Sequence, residues 1–153
     1  AYDQTTPIEP HIGKDNYHLS EDLADQAIKW IRQQQTSTPD SPFFCYFAPP
    51  AVHAPHQAPK EWIDKYVGAF DDGWDALREQ IYKRQLNLGV IPEGTQLTPR
   101  PEQIPSWDSY PDRYKPVATR LMEVFAGFLA HTDAQIKRIL DCINETGCAI
   151  ILW

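Results

Sequence analysis

An α/β fold is what this sequence predicts, and three observations predict it. The run Pro42-Phe43-Phe44-Cys45-Tyr46-Phe47-Ala48 is apolar without alternation, as expected of a strand covered by helices on both faces of a parallel sheet. Apolar residues then hold one helical face from Val117 to Ile143. A second run, Cys148-Ala149-Ile150-Ile151-Leu152-Trp153, follows that helix with the β-branched and aromatic content of another buried strand. Helix, strand, helices, long helix, strand is an α/β order, and it offers only two strands of the sheet.

Each element has a local reason. Residues 1–19 are irregular, with Pro7 and Pro10 among scattered polar residues. Ser20 is placed to cap a helix over about 21–35. Glu21 and Asp22 suit the positive end of its dipole, and Leu23, Ala24, Ala27, Ile28 and Ile31 form its apolar stripe. Thr36 to Pro42 is a turn-rich connector before the strand at 43–48. Past that strand, Pro49, Pro50, Pro55 and Pro59 stiffen a loop that cannot sustain helical hydrogen bonds. Pro59 opens a short helix to Tyr66, stopped at Gly68. Asp71 and Asp72 read as a turn and an N-cap before a helix from Trp74 to Leu88, which Gly89 ends. Residues 90–115, rich in proline, form a long excursion, and Trp107, Tyr110 and Tyr114 favour an ordered one. Pro116 opens the long helix, and Gly147 closes it. Its length of roughly 45 Å suits packing across a sheet larger than two strands.

The chain has 153 residues, enough for one domain that buries roughly two thirds of its unfolded surface. A net charge of −7 with no basic patch speaks against nucleic acid as a partner. No apolar stretch approaches the roughly 20 residues of a membrane span. Cys45, Cys142 and Cys148 have no C-x-x-C spacing, and Cys45 reads as a small buried hydrophobe. Three cysteines do not choose between a reducing compartment and an exported one. The chain begins without an initiator methionine and stops on a strand, so it is expected to be the central part of a larger domain.

Chemistry concentrates in one loop. His53 and His56 sit just past the carboxyl end of the expected strand, where open α/β sheets place ligands. Imidazole titrates near neutrality, so either ring could serve as a general acid or an anion contact. Metal ligation would need two or three further ligands, and no Cys, His or Asp cluster lies near. A loop histidine bonded to its own backbone is the third reading. His131 and Asp133, on the flanks of the long helix, read as a packed, satisfied pair. No phosphate loop, G-x-S-x-G elbow or H-E-x-x-H pair is present.

Taken together, several stretches resemble bacterial arylsulfatases of the sulfatase family, in the alkaline-phosphatase-like superfamily. They are Tyr2 to Pro7, Asn16-Tyr17-His18-Leu19, Pro42 through Trp62, Phe70 to Asp75, Gln96 to Pro101, Met122 to Leu129, and His131-Thr132-Asp133. They run over nearly the whole chain in order. The resemblance implies part of an alkaline-phosphatase-like sandwich, an incomplete domain spanning 1–153. It also implies hydrolysis of a small-molecule sulfate ester. In that family a formylglycine hydrate attacks sulfur, a calcium ion held by Asp and Asn binds the sulfate, and a lysine and histidines complete the anion pocket.

Carried over residue by residue, little of that machinery falls within this chain. His53 matches the family histidine that contacts the sulfate and protonates the leaving oxygen. His56 stands where the family varies, so it is a substrate-side neighbour. None of the cysteines is followed by x-Pro-Ser-Arg. The aspartates for calcium are expected upstream of Ala1, and the Asp-Asn-Gly turn beyond Trp153, so no metal ligand is assigned here. Cys148-Ala149 replaces the family's usual polar residues, which reads as an altered tail. The isolated chain is expected to be inactive and to self-associate through exposed apolar surface. A related phosphoester or phosphonate hydrolase and a non-catalytic remnant are the competing readings.

Overall fold

The computed structural model describes residues 1–147; the strand expected at 148–153 lies outside them. The chain divides into two compact units, Ala1–Ala54 with the chain from Leu129 onward, and Pro55–Phe128.

In the first unit, residues expected to be irregular open with a small antiparallel hairpin. Strands β1 (Tyr2–Asp3) and β2 (Thr6–Pro7) pair Tyr2 with Pro7 and Asp3 with Thr6. Helix α1 runs Leu19–Ser37, starting two residues earlier than its sequence suggests. The cap is His18, whose Nδ1 accepts the Ser20 N–H at 3.2 Å, while the Ser20 side chain is buried. An imidazole nitrogen supplies the acceptor that the expected hydroxyl would have given.

Helix α4 (Lys115–Glu145) is the long element, 31 residues as its periodicity implies. Its second half packs along α1 within this unit. His131 meets Glu21, Arg138 meets Asp25 and Glu145 meets Arg32, so the two helices run in the same direction. Ala24 and Ile31 from α1 and Ile139 and Cys142 from α4 form the buried core. Beyond α4, Gly147 takes φ +72, the left-handed conformation that lets the chain turn away from a helix end.

The strand expected at 43–48 is not formed. Residues 42–50 take no regular secondary structure and pair with no strand among the described residues. Phe43 and Phe47 lean on the α1–α4 core, and the Phe43 ring meets Trp30 edge-on at 5.4 Å. Phe44 and Tyr46 are 80% and 83% exposed, and Cys45 is exposed rather than buried. A strand needs a ladder partner to satisfy its backbone. Within the apolar run only Phe43 and Phe47 are partly buried, and Phe44, Cys45 and Tyr46 between them are exposed.

The second unit starts with α2 (Lys60–Ile63) and a 3₁₀ turn, Asp64–Tyr66. Helix α3 runs Gly73–Asn87, and a second 3₁₀ turn, Asp112–Tyr114, leads into α4. The excursion between α3 and α4 is ordered by contacts back to α3. Tyr82 and Arg78 donate to the carbonyls of Thr95 and Thr98, and the Trp74 indole N–H donates to the Pro105 carbonyl. The Trp107 ring lies over Gly73, where a Cβ would come within 2.1 Å of it. Gly73 also has φ +78, so two independent constraints demand glycine there. Trp107 and Tyr110 both meet Trp74 edge-on, at 4.7 and 5.1 Å. Asp72 precedes α3, but its side chain makes no cap bond.

Candidate functional site

His53 and His56 belong to different units, and each is placed by its own surroundings. His53 is exposed at the end of a tight turn in which its N–H donates to the Pro50 carbonyl at 2.9 Å. Its ring turns back on the chain, Nδ1 lying 2.5 Å from the Ala54 carbonyl oxygen. The backbone-bonded reading describes one nitrogen of the ring. The first nitrogen is engaged by the main chain, and the side chain as a whole faces outward.

His56 is half-buried on the aromatic face of α4. Its ring meets Phe125 edge-on at 5.3 Å and lies 6.2 Å from Phe128. The face is continuous because Phe125 and Phe128 lie three residues apart on one helix. Gly127 beside them lets the backbone approach α2, since a Cβ there would come within 2.8 Å of Ile63. His56 thus serves as packing for the loop that follows it.

The expected pairing of His131 with Asp133 is corrected. His131 is fully buried, and its Nε2 bonds the Glu21 carboxylate at 2.9 Å, while Asp133 points to solvent. His18 stands edge-on to the same ring at 4.3 Å. Residues i and i+2 leave a helix on different faces, so His131 turns from Asp133 to Glu21 of α1 and to Gln135, one turn further along its own helix, at 3.4 Å. The cluster joins α1 to α4 and is part of the scaffold.

Of the three carboxylates lowered in the second unit, Asp75, Glu123 and the exposed Asp112, the first two are held by a backbone N–H as well as a guanidinium. Asp75 receives the Trp107 backbone N–H at 2.8 Å and the Arg100 guanidinium at 2.8 Å. The N–H first and the guanidinium second hold its carboxyl below the usual range. Glu123 is nearly buried and likewise lowered, first by Arg120 and then by the Gly68 N–H at 2.9 Å. Sequence reading overlooked both. Acids three residues from a basic partner, as with Arg120 and Glu123, were the available signal; the Asp75 to Arg100 pairing had none.

Among the described residues, no three His, Cys, Asp or Glu side chains converge so as to hold a metal ion. No described helix is long and apolar enough to cross a membrane.

Comparison with known proteins decides the family. The sulfatase family model matches residues 1–149. The chain belongs to the sulfatase family. It is 32% identical over 134 residues to an arylsulfatase of Klebsiella aerogenes, covering 87% of this chain and 28% of that protein. It is 33% identical over 140 residues to an uncharacterized sulfatase of Schizosaccharomyces pombe, covering 90% and 24%. The chain therefore spans about a quarter of the length of these sulfatases.

Proposed function

We propose that the protein hydrolyses sulfate esters of the aryl type, with His53 on the substrate side as the acid that protonates the leaving oxygen. Residues 1–153 then form the central part of a catalytic domain with an alkaline-phosphatase-like sandwich. The observation that carries this reading is the sulfatase match across nearly the whole chain, supported by the similarity to an arylsulfatase. The chemistry fits the residue: cleaving the ester S–O bond leaves an alkoxide or aryloxide, and an imidazolium can neutralise it as it forms.

Among the described residues no carboxylate cluster could hold the family's calcium, and none of the three cysteines carries the C-x-P-S-R pattern of its formylglycine. His56, packed on Phe125 and Phe128, is a neighbour of the substrate pocket and not its proton donor.

His53→Ala in the active protein should lower kcat by roughly 10²–10⁴-fold on alkyl sulfates and by less on nitrophenyl sulfate, whose leaving group needs little help. Equal losses on both would reduce His53 to a binding contact. Phe44, Tyr46, Val117, Leu121 and Leu129 are all more than half exposed, and the isolated chain should self-associate through such surface. A monomer in sedimentation at tens of micromolar, on the order of ordinary assay concentrations for exposed patches, would count against that.

A further inference from the structure

The contact between the His53 ring and the Ala54 carbonyl fixes more than an orientation. A carbonyl oxygen can only accept, so at 2.5 Å the hydrogen of that bond belongs to Nδ1. The nitrogen that carries the proton in a neutral imidazole is set by the bond the other nitrogen makes or lacks. The direction of this carbonyl is itself written in the sequence. Ala54 precedes Pro55, whose ring confines Ala54 to extended conformations. The turn closed by the His53 N–H on the Pro50 carbonyl holds the other side.

We infer that His53 works through Nε2, with the Ala54 carbonyl holding Nδ1–H and Pro55 acting as the positioning residue for that carbonyl. The inference rests on the sulfate-ester reading above and narrows it to one nitrogen. In the imidazolium both nitrogens carry hydrogen. As an oxygen nucleophile forms its bond to sulfur, the S–O bond to the leaving group breaks and its electron pair passes to that oxygen. The oxygen takes the Nε2 hydrogen, leaving a neutral ring with its remaining hydrogen on Nδ1. That is the form the Ala54 carbonyl stabilises, so the ring needs no flip or tautomer exchange. One proton from water at Nε2 restores it.

Free neutral imidazole prefers the opposite tautomer, so the proposal can be read spectroscopically. Long-range proton–nitrogen NMR of the uniformly ¹⁵N-labelled protein, taken about two pH units above the ordinary histidine pKa of about 6.5, resolves the two nitrogens. The His53 signals are identified by their loss in His53→Gln. The expected pattern is a protonated Nδ1 and a bare Nε2; a protonated Nε2 would overturn the inference. Pro55→Ala should shift His53 toward a tautomer mixture, and an unchanged pattern would remove Pro55 from its positioning role.

A kinetic arm separates the two nitrogens in the active protein. The amide nitrogen of Gln reaches the place of Nε2 and that of Asn the place of Nδ1. Neither can supply the proton, so kcat falls in both. His53→Gln should keep KM within about threefold, whereas His53→Asn should raise it roughly tenfold, the worth of one hydrogen bond. The reverse order would overturn the choice of nitrogen. A His53→Ala variant with full kcat would instead sink the sulfate-ester role of His53, whatever tautomer the spectra show.

Discussion

The two units of this chain are held together by different means. Around α1 and the second half of α4, a stripe of Ala24, Ile31, Ile139 and Cys142 is sealed by helical spacing alone. The buried His131, bonded to the partly exposed Glu21, completes the seam. In the 55–128 unit the element that matters is irregular. The excursion after α3 is fastened by indoles, by main-chain hydrogen bonds and by Asp75, with Gly73 giving the Trp107 ring its place. The contrast teaches that apolar periodicity builds a core where two regular helices meet, whereas a proline-rich loop needs individually directed bonds.

The sharpest way to break this comparison is Gly73→Ala. A methyl within 2.1 Å of the Trp107 ring, at a residue with φ +78, should cost about 3–5 kcal/mol of stability in urea unfolding followed by tryptophan fluorescence. A loss below about 1 kcal/mol would show that the indole clamp does not hold the excursion. The matching test in the other unit is Ile31→Ala. Ile31 is fully buried, so its removal should cost about 2–3 kcal/mol, toward the low end for such truncations because partly exposed Ile28 and Phe43 can relax into the space. A cost near zero would mean that the stripe is not the core.

The smallest effect is the most specific. The Asp75 carboxyl is lowered in the folded state, so it binds its proton less readily folded than unfolded. Its contribution is present above the unfolded value of about 4 and is lost as pH falls through the folded one. Acid should therefore loosen the second unit first, and Asp75→Asn should flatten the fall in stability below about pH 4 while lowering stability at neutral pH. An unchanged acid limb would transfer the sensitivity to Glu123, which is lowered in the same direction.

Much of the helical content was legible. Stripes and glycine stops located α1, α3 and α4 to within about two residues, because 3.6-residue periodicity is a local property. The His18 cap was not legible, since an imidazole is an uncommon N-cap and Ser20 offered a commoner one. The strand at 43–48 failed for a different reason: its composition was right for a strand, but strand formation depends on a neighbour that composition cannot supply. Of the candidate site, the stiff loop and its two histidines were marked by sequence. Their environments were not, and these gave His53 a backbone partner and an outward face and His56 an aromatic wall.

By itself the sequence determined the helices, the ordered excursion and the membership that Tyr2 through Asp133 carry in order, since each depends on residues close along the chain or on their succession. Only the tertiary structure decided that His131 answers to Glu21 and not to Asp133, that Asp75 holds Arg100 and Trp107, and that Gly73 must lack a side chain. Those pairings join residues from 25 to 110 positions apart, and a partner at that separation is chosen by packing in space, which no local pattern encodes.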